Sequence, residues 1–218
     1  MRRSRYSVIL LIIGLAFALL LNGCIDMLHY VGSSENRTIV NVRFTLQKMI
    51  FQMMAQVGGE EITEKDFESD FDLSEDRVLS QFPEGTEVMF SPINNETDFG
   101  FDVELHLDVD SLNKVLAEDP DAPFLPISME QGYRIVLPPM GSDTGDSADN
   151  EFAAAFFASS KYRLLISKGY IPEIEKVILR SGDDTFVPSI KELPEVYLVE
   201  FPLALWALAE AKVEIYIY

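Results

Sequence analysis

The stretch Phe99-Gly100-Phe101-Asp102-Val103-Glu104-Leu105-His106-Leu107-Asp108-Val109-Asp110 decides the fold class. Phe99, Phe101, Val103, Leu105, Leu107 and Val109 alternate without a break with Gly100, Asp102, Glu104, His106, Asp108 and Asp110. A β-strand turns successive side chains to opposite faces, so this period of two predicts a long strand with one face on a core and the other in water. Strands with two such faces belong to antiparallel sheets.

Working outward, Ser111 or Asp110 caps a short helix reaching Ala117, which Asp119-Pro120-Asp121-Ala122-Pro123 ends. Upstream, Arg37–Leu46 reads as a strand with Val40, Val42, Phe44 and Leu46 on one face. Leu46–Val57 reads as a helix, because Met49, Ile50, Met53, Met54 and Val57 recur at three- and four-residue steps and Gly58-Gly59 stops it. Its methionine stripe is read as core. Thr63 with Asp66 resembles a capping box for a helix to Glu68, inside the acidic surface stretch Glu60–Asp76.

Further on, Glu87–Ser91, Tyr133–Leu137, Tyr162–Ser167, Glu175–Arg180, Thr185–Val187, Val196–Phe201 and Ala211–Tyr218 read as strands. Gly141–Asn150 reads as a loop and Glu151–Ser159 as a helix around Phe152, Phe156 and Phe157. The expected architecture is α+β: an antiparallel β-sheet with two or three helices packed on one side, one domain over residues 37–218.

The N-terminus sets the compartment. Arg2, Arg3 and Arg5 precede an uncharged, almost wholly apolar run from Tyr6 to Leu21, the layout of a secretory signal peptide. As a helix those sixteen residues span about 24 Å, short of the roughly 30 Å hydrocarbon core. The run ends Leu21-Asn22-Gly23-Cys24, which resembles the lipobox of bacterial lipoproteins. That resemblance implies cleavage after residue 23 and a diacylglyceryl thioether on Cys24, the one cysteine of the chain. Residues 24–36, with Gly32, Ser33, Ser34 and Asn36, are then expected to be a lipidated tether, with His29 on it. The protein would face the periplasm or exterior from the cell membrane or the outer membrane. In well-studied lipoproteins Asp directly after the Cys favours the inner membrane; here Ile25 holds that place and Asp26 follows.

Without residues 1–23 and their three arginines, 14 basic residues face 36 acidic ones, a formal charge of −22. Such a balance argues against nucleic acid as a partner and against adsorption to anionic lipid driven by charge, both of which need positive surface.

The polar face of the alternating strand carries the candidate chemistry. Alternate residues on one face lie about 6.6 Å apart, so Glu104, His106 and Asp108 are candidate metal ligands, although a solvated charged face is the plainer reading. Asp143 and Asp146, in the acidic loop, are candidate calcium ligands but lack EF-hand spacing. A Ser-His-Asp triad would have to use His106 or His29, and no Gly-x-Ser-x-Gly elbow, His-Glu-x-x-His or phosphate loop is present. No cofactor and no enzyme activity are expected.

An anchoring Cys, a strand followed by a helix, and then a long antiparallel set is also similar in layout to LppM-like lipid-anchored domains, which implies binding or carriage of lipid-like ligands. The reading is a non-catalytic binding or structural module of the cell envelope, partnered by the membrane through its lipid and by an envelope protein. Carriage of a hydrophobic ligand is the second reading and an unfamiliar hydrolase the third.

Overall fold

The alternating stretch forms strand β4, Asp98–Asp108, in the computed structural model, which describes residues 25–49, 87–139, 157 and 160–218. Val103, Leu105 and Leu107 are buried, whereas Asp102, Glu104 and His106 stay partly exposed on the other face. Each such leucine contributes about 1.5–3 kcal/mol by leaving water. Gly100, on the side of the polar residues, is there for a steric reason. At φ +154° its absent Cβ would lie 2.0 Å from the Phe44 carbonyl oxygen, so only glycine fits there.

The other strands of this sheet are β1 (Ile25–Ser34), β2 (Arg37–Gln47), β3 (Glu87–Asn94), β7 (Lys161–Ser167), β10 (Ser189–Glu192) and β11 (Val196–Pro202). They lie in the order β10-β11-β7-β1-β2-β4-β3. A second sheet has the order β5-β6-β12-β8-β9, from Pro126–Ser128, Tyr133–Leu137, Val213–Ile217, Val177–Ser181 and Asp184–Phe186. Strand pairs are antiparallel except β1 with β7.

The two sheets bury one common core. Met27, Val40, Leu105, Leu164 and Val199 of the first join Ile135, Leu137, Val177, Val213 and Ile215 of the second. This corrects the expected α+β class. The protein is β-rich, and the apolar face of the long sheet is covered by a second sheet rather than by helices. Among the described residues only two short helices occur, α1 (Val109–Glu118) and α2 (Ala204–Ala207). The physical reason is that β6, β8 and β12 bring a second set of buried apolar side chains, Ile135, Leu137, Val177, Leu179, Val213 and Ile215, into one core with those of the long sheet. Helix α1 follows β4 as the sequence predicts, but its cap is Asp108 rather than Asp110 or Ser111: the Asp108 carboxylate accepts from the Ser111 N–H at 2.7 Å, so the helix starts earlier, at Val109. The expected helices at 63–68 and 151–159 fall outside the described residues (Phe157 apart), and of 46–57 only 46–49 are described. There β2 runs to Gln47, past the expected helix start.

A second correction concerns residues 25–36. They are not a tether: Ile25–Ser34 is the middle strand of the seven, joined to β2 by a two-residue turn. Glu35 (φ 50°) and Asn36 (φ 68°) are both left-handed, as a tight hairpin matching the strands' twist requires.

Among the described residues, Glu35, Glu87, Asp108, Asp110, Glu192 and Glu195 lie toward the hairpin end of the long sheet with Arg37, Lys114, Lys168 and Lys191. At the end where β1 starts, Asp26, Glu96, Asp98 and Glu200 stand against Lys48, Lys161 and Arg163.

Candidate functional site

Two places bring histidine together with other polar groups, one outside the sheets and one between them.

On the outer face, Glu104 and His106 meet: Oε1 and Nε2 are 2.5 Å apart, with side chains 40% and 25% exposed. The remaining acids of the predicted cluster are engaged elsewhere. Asp102 accepts from Asn41 and Arg43 of β2, and Asp108 turns away to cap α1. The N–H of Ser111 holds the Asp108 carboxyl below the usual carboxylate range. Asp110 sits in the first turn of α1. The alternating face thus yields one His–Glu pair, and among the described residues no group of three or more His, Cys, Asp or Glu could hold a metal ion. Cys24, Asp143 and Asp146 lie outside the described residues.

Between the sheets is a constellation that the sequence did not advertise. His29, in the middle of β1, is 0% exposed, and its Nδ1 lies 2.7 Å from the hydroxyl of Tyr162 on β7, itself 0% exposed. His29 points inward because it shares the period-two register of Ile25, Met27 and Val31. The phenol of Tyr162 stacks on Phe201 at 4.8 Å, and Trp206 of α2 meets it edge-on at 5.6 Å. Phe124 meets both His29 and Trp206 edge-on at 5.9 Å, and the Trp206 indole N–H donates to the Pro138 carbonyl at 2.6 Å. Edge-to-face contacts of this kind add about 0.5–1.5 kcal/mol each beyond area.

Phe124 is held at φ 63°, a left-handed conformation costly for a bulky residue. Its loop is tied down on both sides. Phe124 N–H donates to the Val136 carbonyl, and a partly buried network of Arg134 with Asp121 and Glu214, and Lys212 with Asp121, clamps the loop to β6 and β12. Lys212 holds the Asp121 carboxyl below its usual range.

Burial dominates the chemistry of the interior pair. It pushes the His29 imidazolium down to about 3, against a smaller pull upward from the Phe124 backbone, and raises the Tyr162 phenol well above its ordinary value. Both groups are neutral across the physiological range. Whichever of the two donates, His29 Nε2 is left without a hydrogen-bond partner among the described residues. A neutral imidazole sealed from water cannot meet a substrate, so the pair acts as a polar tie between strands β1 and β7 beneath an aromatic lid. The signal that could have found it is the register: read from Ile25, every second residue to Val31 is core, and His29 falls among them.

Comparison with protein-family models, with curated proteins and with solved structures finds no match to this chain.

Proposed function

We propose that this protein is a lipid-anchored, extracytoplasmic lipoprotein whose two-sheet domain is a non-catalytic binding or structural module of the cell envelope. The anchor reading stands on Leu21-Asn22-Gly23-Cys24 behind a basic and then apolar leader. The observation that carries the module reading is how the titratable interior is spent. His29 is locked neutral against Tyr162, and His106 is held by Glu104 on a surface whose other carboxylates cap a helix or pair with arginine. The aromatic filling of Tyr162, Phe201, Trp206 and Phe124 also speaks for a core over a ligand chamber, since a lipid between the sheets would have to displace rings already in contact.

The test has two parts. Cys24→Ser should move the protein out of the detergent phase and leave unprocessed or unlipidated chain, because only a thiol forms the thioether. Mass spectrometry of the wild-type N-terminus should show the diacylglyceryl group, and an unmodified Cys24 refutes the anchor. Native mass spectrometry of the protein extracted from its own membranes should show no bound small molecule, and a stoichiometric co-purifying lipid would replace the module reading with carriage.

A further inference from the structure

We propose that the domain rests directly on the bilayer, on the end of the seven-stranded sheet where β1 begins, with the Asn94–Asp98 turn, Met49 and Leu205 toward the headgroups. The Glu35–Asn36 hairpin then points away from the membrane. The inference rests on lipidation of Cys24, and it follows from reach. One peptide bond separates Cys24 from Ile25, about 3.8 Å between Cα atoms. Ile25 is 3% exposed, pairs with Leu46 and already belongs to the middle strand. A flexible tether over residues 25–36 would allow about 20 Å of play; the strand allows almost none.

The topology gathers one set of loops at the anchored end. Lys48 N–H bonds the Thr97 carbonyl, Asp26 pairs in register with Lys161, and Lys161 with Pro202, after which α2 begins. The ten residues of β1, at about 3.3 Å each, carry the hairpin roughly 33 Å along the strand. The surface agrees with this orientation. Met49 and Leu205 expose apolar side chains at this end, 39% and 37%, and among the described residues Lys48, Lys161 and Arg163 there nearly balance Asp26, Glu96, Asp98 and Glu200.

The experiment uses the full lipidated protein in vesicles of phosphatidylethanolamine and phosphatidylglycerol containing a headgroup-spin-labelled lipid. An environment-sensitive fluorophore is attached at Glu96→Cys, in the anchored-end turn, or at Val109→Cys, exposed at the hairpin end; the Cys24 thiol is consumed by its thioether. Quenching should be several-fold stronger at position 96 than at 109, and a Gly/Ser insert of about ten residues between Cys24 and Ile25 should remove the difference. Equal quenching at the two positions, with lipid on Cys24 verified by mass spectrometry of the same sample, overturns the orientation and leaves the anchor standing. Unmodified Cys24 in that spectrum overturns both.

Discussion

The two histidines of this chain sit two strands apart in one sheet and have opposite fates. His106 on β4 faces outward, a quarter exposed, and shares its surroundings with Glu104 and water. His29 on β1 faces inward among aromatic rings with one nitrogen bonded to Tyr162 and the other without a partner among the described residues. Side-chain type says little about role here; the parity of the position along its strand says nearly everything. An imidazole on the even register of β4 is a soluble ornament. One on the odd register of β1 is part of the core, where it must stay neutral because an unpaired charge there costs several kcal/mol.

The sharpest way to break this comparison is to move charge across β4. Leu105→Asp places a carboxylate where the side chain is 0% exposed and should cost several kcal/mol, comparable with a domain stability of roughly 5–15 kcal/mol, so the variant should be unfolded. Glu104→Lys, one residue away on the outer face, should change stability by no more than about 0.5 kcal/mol. Equal losses in urea titrations of the two variants would end the two-face reading.

Acid sharpens it next. Burial lowers His29 in the fold to about 3 from an unfolded value of 6.5, so between those limits the unfolded chain takes up a proton that the fold refuses. The stability tied to neutral His29 is therefore complete above about pH 6.5 and drains away as the pH falls, by about 2 kcal/mol at pH 5. Urea midpoints measured from pH 7 to pH 4 should show this slope in the wild type. It should flatten in the double variant His29→Leu, Tyr162→Phe, which removes both polar partners together. Tyr162→Phe alone should cost about 1–3 kcal/mol at neutral pH by leaving both imidazole nitrogens unpaired. Parallel pH profiles for wild type and double variant would mean that His29 reaches water.

The smallest effect belongs to the outer histidine. His106→Ala should shift stability by less than about 0.5 kcal/mol, since a partly exposed side-chain pair on the sheet surface contributes little net of water and side-chain entropy. Micromolar calcium or zinc should raise the melting temperature no more than sodium at equal ionic strength, because screening follows ionic strength and a real site acts by mass action. A divalent-specific rise lost in His106→Ala would make the outer face a metal site and collapse the contrast.

Much of the strand content was legible, and for one reason. β4, β2 and β12 alternate cleanly, and β6, β7 and β11 are short β-branched or aromatic-rich apolar runs, so the local pattern alone placed them within a residue or two of their observed ends. β1 escaped because its contrast is blurred on both faces. Leu28 and Tyr30 are apolar on the outer side, His29 is polar on the inner side, and Gly32-Ser33-Ser34 resembles a linker. The buried dyad escaped with it, since its members are 133 residues apart and meet through the only parallel strand pair among the described residues.

What the sequence determined by itself is therefore local: where most of the strands run, which side of each is apolar, and that a short helix follows β4. These depend on sterics and hydration within a few residues. What only the tertiary structure decided is the allotment of those strands to two sheets, the central place of β1, and the burial of His29. Several two-faced strands can satisfy their apolar sides equally well by extending one sheet, by accepting helices or by closing face to face. Local patterning does not distinguish these, and the choice falls to long-range pairing and to the close packing of Tyr162, Phe201, Trp206 and Phe124 between the sheets.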